Sequence, residues 1–170
     1  MTNQPLKHCY WVVQNKFLAG EYPRDLDGDS SRKKIDALIG AGVTAFIDLT
    51  EKTEGLLPYE EYLQAYQGVS YQRFPIRDIS VPRSKEVAVS ILDAIDSHIS
   101  QGRTVYVHCW GGVGRTGLIV GCWLTRNGGD GKSALLRLRE LWQECPKSVS
   151  RISPETREQE RYILDWKKTP

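Results

Sequence analysis

The chain is 170 residues long, with 23 Lys and Arg against 21 Asp and Glu and a formal net charge of +2. That length suits one domain with a sizeable core. The near-neutral balance leaves no broad basic field for nucleic acid or an acidic membrane surface, and no apolar run approaches the length needed to span a bilayer.

The amino terminus, Met1-Thr2-Asn3-Gln4-Pro5-Leu6-Lys7, lacks a charged-then-apolar signal pattern, so the expectation is a soluble, cytoplasmic protein. Residues 10–13 and 16–20 read as two short strands, the second running into a Gly-Glu-Tyr-Pro turn. Residues 24–34 form a polar connector, in which Ser31 can cap a helix carrying Ile35, Leu38 and Ile39 and stopping at Gly40 and Gly42. Residues 43–49 are a buried strand, and 51–58 a loop at its carboxyl end, where open α/β sheets place ligands. A short helix over 59–66 bears Tyr59, Tyr62, Leu63 and Tyr66 as a stripe that packs on the core.

Residues 71–76 read as a strand, followed by a Pro-bounded loop holding Arg77 and Asp78. Ser84 starts a helix whose Val87, Ile91, Leu92, Ile95 and Ile99 face inward, ending near Gly102; His98 on it is a structural or surface histidine. A strand over 104–107 and an apolar helix over 118–124 flank a glycine-rich loop. After the break at 127–131 come an amphipathic helix over 132–145, a loop over 146–151, and a last helix with Ser153 as cap and Pro154 first inside. Tyr162, Ile163 and Trp166 pack that helix, and 167–170 is a tail.

The four cysteines, at 9, 109, 122 and 145, show no CxxC and no metal-ligand spacing. In a reducing compartment they are free thiols: Cys122 fills the core, and Cys9 or Cys145 is a candidate resolving thiol for an oxidised Cys109.

The stretch that organises the chain is Val107-His108-Cys109-Trp110-Gly111-Gly112-Val113-Gly114-Arg115-Thr116-Gly117. Glycines at 111, 112 and 114 let successive N–H groups turn inward into an anion-binding nest. The following helix adds its free N–H groups and the positive end of its dipole. Arg115 brings a planar cationic fork that matches phosphate oxygens. Such a field favours the thiolate of Cys109, a nucleophile aimed at a bound phosphorus.

His108-Cys109-X5-Arg115-Thr116-Gly117 resembles the signature of the cysteine-dependent tyrosine and dual-specificity phosphatases. The detail Cys-Trp-Gly-Gly-Val-Gly-Arg is most similar to small atypical dual-specificity enzymes of the cyclin-dependent-kinase-associated kind. The resemblance implies one catalytic domain over 1–170, an α/β fold whose central, mostly parallel sheet of about five strands is flanked by helices. It implies no cofactor and no metal, with Cys109 as nucleophile, Arg115 as phosphate clamp, and residues 110–114 (Trp110, Gly111, Gly112, Val113, Gly114) with Arg115 forming the substrate cradle. Asp78 matches the family's general acid on a loop, His108 the residue that holds the cradle, and Gln159 a glutamine that positions water. Thr116 either caps the following helix or bonds the sulfur. Gln159 has a plain alternative as a polar residue on an exposed helix, and Asp78 as a turn-capping aspartate.

Gly112-Val113-Gly114-Arg115-Thr116-Gly117 also spells the dinucleotide-binding G-x-G-x-x-G, which leaves nucleotide binding as a rival. Its required acidic partner at the end of a second strand is missing, since Glu140 falls in a helical pattern. The expected substrate is a phosphoprotein or phosphopeptide, phosphotyrosine first and phosphoserine or phosphothreonine second, bound by a monomer. Inositol phosphates or nucleotides, or phosphate binding without turnover, are the alternatives. Residues 110–114 carry no Lys or second Arg, which favours a phosphoprotein over a more highly charged ester.

Overall fold

The computed structural model describes residues 3–167, so Met1, Thr2 and the end of the expected tail, 168–170, lie outside the described residues. Within these residues five strands form one sheet: β1 (Cys9–Val13), β2 (Phe17–Gly20), β3 (Val43–Asp48), β4 (Ser70–Arg73) and β5 (Thr104–His108), in the spatial order β1-β2-β5-β3-β4. The first pair is antiparallel and the other three pairings are parallel. Among the described residues six helices flank it: α1 (Gly28–Gly40), α2 (Glu60–Leu63), α3 (Lys85–Ser100), α4 (Arg115–Arg126), α5 (Gly131–Trp142) and α6 (Arg157–Leu164). The expected mostly parallel five-stranded sheet flanked by helices is the fold observed. No helix of the described residues is long and apolar enough to cross a membrane.

Strand periodicity divides the core into two clusters, one on each face. Along β5, Val105, Val107 and Cys109 belong to one cluster and Tyr106 to the other. Along β3, Ala45, Ile47 and Leu49 oppose Phe46. Val43 breaks the alternation because one extra residue, Thr44, shifts the register against β5, a bulge that swaps the face on which the strand begins. The first face carries α3 to α6; the second carries α1 and α2 and is rich in aromatic rings.

The helix expected over 59–66 covers only Glu60–Leu63 and the strand expected over 71–76 is Ser70–Arg73, while two helix starts differ for local reasons. Helix α1 starts three residues before Ser31, capped by Asp27, whose carboxylate accepts from the Ser30 N–H at 2.7 Å. Ser31 is instead buried inside the helix, its hydroxyl on the Asp27 carbonyl at 2.6 Å. Helix α6 starts at Arg157, not after Ser153, because Thr156 and Gln159 form a reciprocal capping box. Helix α4 is followed directly by helix α5, which carries Glu140, and no strand follows among the described residues. The dinucleotide-binding reading is therefore corrected: its second strand does not exist here.

Candidate active site

The parallel strands end together at one edge, and the loop from β5 to α4 closes over it. Its backbone faces outward through its carbonyls. The Trp110 carbonyl accepts from the Tyr22 N–H (2.9 Å), the Gly111 carbonyl from the Lys147 ammonium (2.7 Å), and the Val113 carbonyl from the Ser153 hydroxyl (2.7 Å). The N–H groups of residues 110–114 have no acceptor among the described residues. Carbonyls gripped from outside and amides left free make a nest for an anion. Gly112 has φ +74°, and a Cβ there would lie 2.6 Å from the Gly20 carbonyl carbon, so the loop presses on the end of β2 where only glycine fits.

Cys109 sits at the base of this loop with 3% of its surface exposed, and Arg115 is the largest fully buried side chain, at 1%. Burial opposes the charge of the guanidinium, but Glu54, Cys109 and Asp78 outweigh it and keep the cation charged. Glu54 takes the end of the fork with both oxygens, 2.5 Å from Nη1 and 2.9 Å from Nη2, while Nη1 also reaches the Ile76 carbonyl at 3.0 Å. Asp78 Oδ1 lies 3.2 Å from Nη2. Arg115 Nε is buried and has no partner among the described residues. One edge of the fork is thus held by protein, and the Nε side retains a donor, the arrangement a bound oxyanion completes.

Asp78 is half exposed on its loop, its carboxylate also accepting from the Ile79 N–H at 2.9 Å. Ile79, a β-branched residue, has φ +53°, a strained conformation of the kind that gathers at functional loops. Gln159 is fully buried, which corrects the exposed-helix alternative. Its amide oxygen accepts from the Glu155 and Thr156 N–H groups and its amide nitrogen donates to the Ser80 carbonyl at 3.0 Å, tying α6 to the loop that carries Asp78. Thr116 lies inside α4 rather than at its cap, which is Gly114; its hydroxyl makes a long 3.4 Å bond to the Gly20 carbonyl.

His108 is wholly buried behind the loop. Its Nδ1 lies 3.0 Å from the Cys109 carbonyl and its Nε2 2.6 Å from the Tyr59 hydroxyl. A carbonyl only accepts, so Nδ1 carries the proton and Nε2 accepts from Tyr59. Burial pushes the His108 pKa down, against the pull of Asp48, so the ring is neutral at neutral pH. Burial also works against the Asp48 charge, but the attraction of the His108 ring and hydrogen bonds from Thr50 and Tyr71 hold its carboxyl below the usual range, and the Arg73 guanidinium lies 3.1 Å away.

The structure brings together Cys109, Arg115, Asp78, His108, Thr116 and Gln159 around residues 110–114. Sequence reasoning missed Glu54 and Lys147; it placed Tyr59 in the core, where it lies, and Ser153 at a helix cap, but foresaw neither one's contact with the site. Glu54 had a signal: it lies in the loop at the carboxyl end of β3, and Glu51 and Glu54 form the reciprocal cap of the Lys52–Glu54 turn. The other three act through long-range contacts that no local pattern announces. Cys9, Cys122 and Cys145 are buried free thiols. Burial pushes Cys9 up to about 12 and raises Cys145 as well, so neither offers a thiolate at neutral pH.

A parallel sheet ending in an amide-lined loop with cysteine at its base and arginine at its end defines the dual-specificity and tyrosine phosphatase class. Residues 25–129 match the family described as "Polymorphic toxin system, DSP-PTPase phosphatase", and the chain belongs to it. Protein 067L of Invertebrate iridescent virus 3, which carries a provisional tyrosine phosphatase designation, is 32% identical over 123 residues, covering 70% of this chain and 46% of that protein. The chain spans about half the length of the curated relatives it matches.

Among solved structures, the active form of Tk-PTP superposes with a TM-score of 0.75 at 23% identity, covering 95% of this chain and 97% of that one. Kinase associated phosphatase with serine at its catalytic cysteine gives 0.73 at 20%, covering 95% and 94%. PTPMT1 in complex with PI(5)P gives 0.68 at 20%, covering 94% of each chain. These likenesses establish the shared fold.

Proposed function

We propose that the chain is a cysteine-dependent phosphatase acting on phosphorylated protein, phosphotyrosine foremost, through a phosphocysteine. The observation that carries this is the buried Arg115 with an unpartnered Nε at the end of a loop whose amides are free, above Cys109. In the first step the Cys109 sulfur forms a bond to phosphorus as the ester P–O bond breaks, and Asp78 gives its proton to the leaving oxygen. The loop N–H groups and Arg115 match the charge spread over the other phosphate oxygens. In the second step a water oxygen bonds to phosphorus, the S–P bond breaks, and Asp78 takes the water proton. Gln159 holds the Asp78 loop against α6 through Ser80, and Thr116, only weakly engaged elsewhere, supports the departing sulfur.

Phosphate release from p-nitrophenyl phosphate and from a phosphotyrosine peptide tests the reading. Cys109→Ser should lower both by about 10⁴-fold or more. Asp78→Asn should cost about 10²–10⁴-fold in kcat with substrate binding retained. Undiminished turnover by the Cys109 variant would overturn the assignment. Faster turnover of an inositol phospholipid than of any phosphopeptide would replace the substrate class while leaving the chemistry.

A further inference from the structure

Beside the catalytic loop lies a groove of about 420 Å³, within the range of small-ligand sites. Its walls are Tyr22, Leu26, Leu56, Leu57 and the indole of Trp110, and Glu54 lies at its inner end. Trp110 is 55% exposed and Leu26 92%, and Leu57 is also exposed, so three large apolar side chains face solvent around one depression. Scattered exposed leucines are ordinary; three lining a concave site next to the reacting cysteine form a patch that calls for a partner.

The charges in the groove are neutralised by the protein itself. Arg24 is bound to Glu61 at 3.1 Å and to the Pro58 carbonyl, and its guanidinium lies over the Tyr62 ring. Asp25 is bound to Lys34 at 2.7 Å, and Glu54 to Arg115. Nearby, Lys147 is held by Glu21 at 2.8 Å. With every charge paired internally, what the groove complements is an uncharged, apolar group rather than a second phosphate. A membrane-docking face would instead present unpaired cations around its apolar residues. The groove is also fixed in place, since the Tyr22 hydroxyl donates to the Leu57 carbonyl at 2.9 Å and its N–H to the Trp110 carbonyl.

We propose that this groove is a substrate subsite that receives a large apolar side chain close in sequence to the phosphorylated residue of a protein substrate. The proposal rests on the phosphatase reading above and adds what selects the substrate. Trp110 and Glu54 join the two sites, so a peptide whose phosphate enters the loop lays its neighbouring residues across Leu26 and Leu57.

The test compares kcat/KM for phosphotyrosine peptides carrying Phe or Leu at each position within three residues of the phosphotyrosine with the same peptides carrying Ser. Activity on p-nitrophenyl phosphate, which is too small to reach the groove, serves as reference. At one or more positions the apolar peptide should be favoured about tenfold, a factor equivalent to about 1.4 kcal/mol. Leu26→Ser and Leu57→Ser, both at exposed positions, should erase that preference and leave p-nitrophenyl phosphate turnover unchanged. Equal rates for apolar and Ser peptides in an active enzyme would overturn the subsite alone. Retained preference in both variants would also overturn it. So would stimulation of the wild-type enzyme by phosphatidylinositol vesicles with no preference among the peptides, which would assign the face to a membrane. Loss of all turnover, including p-nitrophenyl phosphate, would instead strike at the phosphatase reading.

Discussion

The two faces of the sheet support the site in different ways. On the face carrying α3 to α6, support comes from close packing. A Cβ at Gly121 would lie 2.3 Å from Ile163 Cδ1, and one at Gly131 2.5 Å from the Leu164 backbone. Tyr10 in that cluster buries a hydroxyl with no partner among the described residues. On the other face the tyrosines carry directed bonds: Tyr59 to His108, Tyr71 to Asp48, Tyr22 to the Leu57 carbonyl and Tyr106 to the Glu21 carbonyl. All four bonds end at the edge that carries the candidate site or on the loops beside it. One face therefore fixes where α4 and Arg115 stand, and the other fixes how the loops around them are oriented.

This contrast separates rate from stability, and variants can break it. The largest effect is expected at Glu54, on the loop tied down by Tyr22. Glu54→Gln should lower kcat/KM by about 10–100-fold, because Arg115 loses the carboxylate that aims it. Inhibition by inorganic phosphate should weaken in parallel, with a change of only a few degrees in the melting midpoint. Gly131→Ala should do the reverse. Pushing α5 off α6 should cost about 1–3 kcal/mol, read as a fall of roughly 3–10 °C in melting temperature, with kcat retained. A comparable rate loss in both variants would erase the distinction between the faces.

The smallest effect is in pH. His108 is neutral in the fold because burial depresses its pKa, whereas in the unfolded chain it takes up a proton below about pH 6.5. The unfolded state then binds more protons, so stability is full above that value and declines as pH falls toward the folded pKa. Asp48, also depressed, adds a further loss only below about pH 4. The melting midpoint should thus drop by a few degrees between about pH 7 and about pH 5. His108→Asn should melt lower but with a flatter profile over the same window, and a wild-type midpoint unmoved by acid would contradict the buried neutral ring.

Much of this was legible in the chain. The alternation along β3 and β5, the strand–loop–helix around Cys109, and the Pro-bounded loop at Asp78 are local patterns, and the fold and family follow from them. What was not legible is contact at a distance. Ser153 reads as a helix cap, but its hydroxyl is drawn to Val113, 40 residues away, and the capping box at Thr156 wins the helix start. Gln159 looks solvent-facing by its polar neighbours, yet the return of α6 onto α4 buries it. Ser31 looks like a cap until Asp27, four residues earlier, supplies the better acceptor.

The grip on the loop carbonyls comes from both ends of the chain: Tyr22 ahead of it, and Lys147 and Ser153 well after it. None of these lies within the matched stretch of 25–129. During synthesis, Cys109 and Arg115 join the chain before either of the two later donors. The proposed nucleophile is therefore made early and clasped late, so a truncated chain carries the whole signature motif without the contacts that hold its carbonyls.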